Sequence, residues 1–163
     1  MFPGLVQTVA YARALLVSPL ASAMNITEAD ADALVAERVK RQDILYQPGR
    51  ALQVVVGEAA LWNTPGTVDV QVAQLDRLIS FIALPSLEFG VVPHGVPMPI
   101  APIACFSVHD DNFVLVETLT GEQRLDDPDE VAVYVKAFDL LREAAATGPD
   151  AMELIQRVAA SLR

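Results

Sequence analysis

The chain has 163 residues, 53% of them hydrophobic and 20% charged, and 11 Lys+Arg against 21 Asp+Glu give a formal net charge of −10. That length suits one domain with a substantial core, and the apolar content excludes intrinsic disorder. The charge has the wrong sign for a surface that displaces counterions from a phosphate backbone, so direct contact of this chain with DNA or RNA is not expected.

Cys105 is the single cysteine, which leaves no intrachain disulfide and fits a reducing compartment. No apolar run reaches the roughly 18 residues of a membrane span, and the longest candidate, residues 90–106, is broken by Pro93, Pro97, Pro99 and Pro102. Residues 14–23 imitate a secretory signal, but Arg13 is the only charge before them and Pro19 interrupts the run. A cytoplasmic protein without a membrane anchor is expected.

Thr8 can cap a first helix to Val17, with Val9, Ala12 and Leu16 inward, until Pro19 stops it at a polar turn. Thr27 can cap a longer helix to about Tyr46, in which Ile26, Ala33 or Leu34, Val35, Val39 and Leu45 repeat at helical spacing as its inward side, with Glu28 and Asp30 at its positive end. Pro48-Gly49 ends it. Residues 52–56 are almost wholly apolar and read as a central strand buried on both faces. Residues 68–83 return to helical period, with Val68, Val72, Leu75, Leu78, Ile79 and Ile82 inward and Asp69, Gln71, Asp76 and Arg77 outward.

A second strand, 87–92, precedes a proline-punctuated loop from 93 to 102. Residues 104–109 and 113–117 form a hairpin around Asp110-Asp111-Asn112, whose short polar side chains tolerate left-handed backbone, and a short strand follows at 123–125. Asp126 or Asp127 caps the next helix, with Pro128 in its first turn, Glu130 placed for a capping box, and Val131, Val135, Phe138 and Leu141 inward. Gly148-Pro149 sets off a last helix from 150 to 162. The sum is an α+β or mixed α/β fold, a central sheet of four to five strands flanked by helices from both ends, in one regulatory-type domain over residues 1–163.

Period two places Cys105, Ser107 and His109 on one strand face, with His94 upstream in the loop. One thiol and two imidazoles without a ligand spacing do not make a zinc site, and Cys105 is expected to be a small buried residue with His109 at the solvent edge. Glu58 and Glu117 end strands, a position where carboxylates either bond internally or meet a ligand. Glu58 is expected to cap a helix or bond internally. No phosphate loop, nucleophile elbow or metalloprotease motif is present, so no catalytic residue, cofactor or metal is assigned. The proline-stiffened loop carrying Val96, Met98 and Ile100 suits an interface or lid. The acidic stretch from Asp110 to Glu130 reads as a solvated face, with recognition of a basic partner as the alternative.

Read together, Pro3-Gly4-Leu5-Val6-Gln7-Thr8 and Tyr11-Ala12-Arg13-Ala14-Leu15, then Arg38, Arg41-Gln42, Ile44-Leu45, Glu58-Ala59-Ala60-Leu61, Gln74-Leu75, Pro85 and Val92-Pro93 carry a resemblance. Val116-Glu117-Thr118-Leu119-Thr120-Gly121 and Asp127-Pro128-Asp129-Glu130-Val131 extend it to the last third. The chain resembles the C-terminal domain of unknown function that follows an XRE-type helix-turn-helix in actinobacterial transcriptional regulators. The family usually has a glycine- and histidine-containing segment before the hairpin, where this chain has the proline-rich 94–102. The resemblance implies a DNA-binding domain ahead of residue 1, homodimerisation, and binding of a small partner protein or a small-molecule effector. The candidate ligand- or partner-binding residues are Glu58, Trp62, His94, Val96, Met98, Ile100, His109 and Glu117. The alternatives are a ligand-sensing pocket between sheet and loop and, least favoured, a metal- or thiol-dependent hydrolase using Cys105, His94 and His109.

Overall fold

A computed structural model describes residues 1–101 and 105–163. Pro102 at the loop end and Ala104 at the expected strand start lie outside the described residues. The elements in chain order are α1 (Val9–Leu16), α2 (Pro19–Ala23), α3 (Glu28–Arg41), β1 (Leu52–Gly57), α4 (Ala59–Trp62), α5 (Val68–Ile82), β2 (Leu87–Val92), β3 (Cys105–His109), β4 (Phe113–Thr118), β5 (Gly121–Leu125), α6 (Pro128–Ala144), β6 (Ala146–Thr147) and α7 (Gly148–Leu162). Short 3-10 turns occupy Gly4–Val6 and Gln42–Tyr46. The fold is mixed α+β with helices at both ends, and its residues divide into two compact units, Met1–His94 with Ala146–Arg163, and Gly95–Ala145.

Two three-stranded sheets replace the expected single sheet of four to five strands. In the first unit, β2 is central between parallel β1 and antiparallel β6. With both neighbours taken, β2 has no edge left for the hairpin that follows it. Pro93, Pro97 and Pro99, which cannot donate ladder hydrogen bonds, separate the two. The expectation that 52–56 is central is overturned: β1 is an edge strand, with Val54 and Val56 buried, Val55 half-buried and Gln53 exposed. β6, two residues long, gave no periodic signal.

Thr8 caps α1 by accepting from the Tyr11 amide, and Thr27 and Asp30 form a reciprocal capping box on α3. Pro19 does not end in a turn but opens α2 at its first position, capped by Ser18. Val9, Leu34, Val39 and Val68, all expected inward, are exposed. The inward side of α1 and α3 is the narrower set Ala12, Leu16, Ala31 and Val35. The helical pattern expected to run to Tyr46 tightens into the 3-10 turn after Arg41, and the chain turns at Gly49 with φ +76°, a conformation that favours glycine after Pro48.

The main core joins α5, α7 and one face of the first sheet. Leu75, Leu78 and Phe81 of α5 and Ile155 and Val158 of α7 are buried with Phe89 and Val91 of β2. Each such side chain contributes about 1.5–3 kcal/mol on leaving water.

In the second unit, β3–β4–β5 is an antiparallel meander. Asp110 and Asp111 take the left-handed backbone expected of the hairpin tip. Asp127 caps α6 through the Asp129 and Glu130 amides. One face of this sheet meets α6, where Phe106 lies edge-on to Tyr134 at 5.0 Å and Val114 and Val131 are buried. Val135, Phe138 and Leu141 are only half-buried.

Candidate functional site

Glu58 stands where β1 gives way to α4. Its amide donates to the Val92 carbonyl at 2.9 Å, which ties it to the end of β2. Its carboxylate is 6% exposed; one oxygen accepts from the His94 amide at 2.8 Å and the other from Arg157 of α7 at 3.2 Å, whose side chain is 59% exposed. Burial pushes the Glu58 carboxyl upward. The His94 amide, the nearby His94 ring and the Arg157 guanidinium outweigh that effect and hold it below the ordinary glutamate value. The cluster lies at the carboxyl ends of the parallel pair β1–β2, the end at which open α/β sheets receive ligands. The expected internal hydrogen bond of Glu58 is present, and its partners are the His94 backbone and Arg157.

Trp62 ends α4 and is 41% exposed, and His94 is exposed. Glu58 and His94 are thus brought together within the first unit. Val96 and Met98 are exposed and Ile100 is half-buried in the second unit's opening segment. His109 and Glu117 share one face of the second sheet but not one site. His109 pairs with Phe113, whereas Glu117 pairs with Cys105 at the other end of the ladder.

Cys105 is exposed, not buried as expected. It lies on the sheet face away from α6, which no element among the described residues of the second unit covers. Cys105 and His109 are four residues apart on one strand, about 13 Å at strand rise, beyond hydrogen-bond reach. Ser107 and His109 do meet, at 3.0 Å. The His109 ring stacks on Phe113 at 4.5 Å, and the Arg124 guanidinium lies 3.7 Å from the centre of the same ring. No group of three or more His, Cys, Asp or Glu among the described residues is placed to hold a metal ion.

Two shallow grooves open on the first unit. One of about 300 Å³ is lined by residues including Ile82, Leu87, Phe89 and Thr147, and one of about 440 Å³ by residues including Leu45, Tyr46, Arg50 and Pro85. Neither contains an expected site residue.

The most developed polar assembly was not foreseen. Buried Gln74 of α5 accepts from the Thr8 amide at 2.6 Å and donates to the Val6 carbonyl at 2.7 Å. Gln7 is also buried; its amide donates to the Phe2 carbonyl at 2.6 Å and its oxygen accepts from Arg38 at 2.8 Å. Gln42 donates to the Gln7 carbonyl at 2.7 Å. Gln71, expected outward, is fully buried and donates to the Leu61 carbonyl. Gln7, Gln42 and Gln74 satisfy backbone groups of segment 2–8, which has no ladder partner of its own, whereas Gln71 serves the end of α4. The legible signal was two glutamines three residues apart on the apolar stripe of α5.

Fold and site together define a mixed α+β chain of two compact units with a clamped carboxylate at its strand ends. The chain belongs to the family described as Domain of unknown function (DUF5753), whose model matches residues 1–157. No curated protein and no solved structure matches it. No helix among the described residues is long and apolar enough to cross a membrane.

Proposed function

We propose that this chain is the regulatory domain of a cytoplasmic transcriptional regulator of the actinobacterial XRE type, acting by dimerisation and by binding a small partner protein or a small-molecule effector. The observation that supports it best is apolar side chains left in water on an acidic chain: Val9, Val17, Leu20 and Met24 are all exposed within and around α1 and α2. Four such side chains in one short stretch mark a candidate contact surface. Both grooves are open, which favours a protein partner over an enclosed metabolite.

Light scattering tests the reading. A dimer at twice 17.5 kDa is expected, reduced to a monomer by Val17→Glu with Leu20→Glu. A strict monomer that binds neither protein nor metabolite removes it.

A second reading, an effector site at the strand ends, rests on the buried Glu58 carboxylate beside the exposed His94 and Arg157. Thermal-shift screening of metabolites tests it, since a ligand at 100 times its Kd adds about 2.7 kcal/mol. Retention of that shift in Arg157→Ala places the effector elsewhere.

A further inference from the structure

Negative charge is unevenly shared between the two units. Residues 95–145 carry 10 Asp+Glu against 3 Lys+Arg, a net −7, while the remaining residues carry 11 against 8, a net −3. Within the acidic unit, one face of the sheet packs on α6 and the other, which bears Cys105, Ser107 and His109, is open.

The register of the open face contains a local conflict. Glu117 of β4 stands directly opposite Glu122 of β5. Like charges in that relation destabilise a strand pair. Neither carboxylate has a hydrogen bond or ion pair among the described residues. Arg124, on the same face, is already engaged by the Phe113 ring and by Asp126 at 3.7 Å. One residue pair further on, Thr118 donates to the Gly121 carbonyl at 2.8 Å and closes the turn. That turn presents Leu119 with 75% of its surface in water. An uncompensated pair of carboxylates therefore sits beside an exposed aliphatic tip.

We propose that the β4–β5 end of this face docks a basic protein segment, with a Lys or Arg between Glu117 and Glu122 and an apolar side chain against Leu119. The inference rests on the interaction reading above and names the partner's chemistry. A second copy of this chain would bring another strongly negative unit to the same place, so charge complementarity selects a cationic partner. Two carboxylates are too few for a calcium shell of six to eight oxygens, and a bare cation leaves Leu119 uncovered.

The test is fluorescence anisotropy of the full chain with a short dye-labelled peptide alternating lysine and valine, at about 0.15 M salt to screen distant charges. Glu117→Gln with Glu122→Gln should weaken binding about tenfold and Leu119→Ser several-fold. Asp129→Asn with Glu143→Gln removes the same charge from α6 of the same unit and should change binding less than about twofold. Relief of the Glu117–Glu122 repulsion predicts a melting temperature for the first pair no lower than that of the unsubstituted chain, which shows it folded. Equal weakening by both pairs, or no peptide binding by the unsubstituted chain, overturns the proposal. A chain that dimerises yet ignores the peptide sinks this inference alone and leaves the regulatory reading standing.

Discussion

Replacing Glu58 measures what the clamp at the strand ends contributes. Glu58→Ala removes a charge-assisted bond to the His94 amide, about 1.5–3 kcal/mol, and the bond to Arg157. Because Arg157 is 59% exposed, that ion pair adds at most about 1 kcal/mol. The sum, about 2–4 kcal/mol, corresponds to a melting temperature lowered by roughly 5–15 °C in a chain of this size. Glu58→Gln keeps an acceptor for the amide and loses the charge, so it costs about 1 kcal/mol. The folded-state carboxyl titrates below its ordinary value of 4.5, so the charge adds stability above that pH. That contribution is lost as pH falls through the depressed folded value. The stability gap between the unsubstituted chain and Glu58→Gln is therefore full near pH 7 and closes on acidification. Urea unfolding followed by the fluorescence of Trp62, the sole tryptophan, reads both quantities. A gap that stays constant or widens as pH falls below 4.5 refutes the assignment of an ionised, clamped carboxylate.

Gln74→Leu leaves the Thr8 amide and the Val6 carbonyl without their partner; a loss of about 2–3 kcal/mol is expected in urea, with early proteolysis near the N-terminus. Leu78→Ala empties a fully buried position in the main core and should cost about 2–5 kcal/mol by the same assay. Asp127→Ala removes the cap of α6 and should cost about 1 kcal/mol, visible as a lower thermal midpoint by circular dichroism. The exposed Cys105 should react fully with Ellman's reagent in native buffer; protection until denaturant is added would show it covered.

Where a local rule acts alone, the sequence read well. Thr8, Thr27 and Asp127 cap their helices because a side-chain oxygen can reach an amide two or three residues on, whatever the rest of the chain does. Asp110 and Asp111 turn the hairpin for an equally local reason. The misreadings arose where a distant partner decides. An apolar run such as 52–56 looks the same on a sheet edge as at its centre. Only the pairing of β2 with β1 on one side and β6 on the other fixed β1 at the edge. Val9, Leu34, Val39 and Val68 fit helical spacing yet face water, since spacing selects a stripe without setting its width.

The candidate site divides along the same line. Glu58 was singled out from its place after a buried strand, and its internal hydrogen bond followed. Arg157, 99 residues away, gave no signal because nothing near it in sequence marks a guanidinium as another residue's partner. The glutamines sharpen the point. Gln7, Arg38, Gln42 and Gln74 entered as scattered members of the motifs that carry the resemblance, and the fold gathers Gln7 with Arg38 and Gln42, while Gln74 holds the adjoining Val6 and Thr8. An irregular segment packed beside the core must have its amides and carbonyls answered by side chains. Glutamine, with one acceptor and two donors on a flexible stem, can answer two backbone groups at once. Those motif positions are thus explained by the demands of the N-terminal segment. A binding function for this chain is therefore better sought where the fold leaves charge in water: the guanidinium of Arg157, exposed although it is bonded to Glu58, and the facing carboxylates of Glu117 and Glu122.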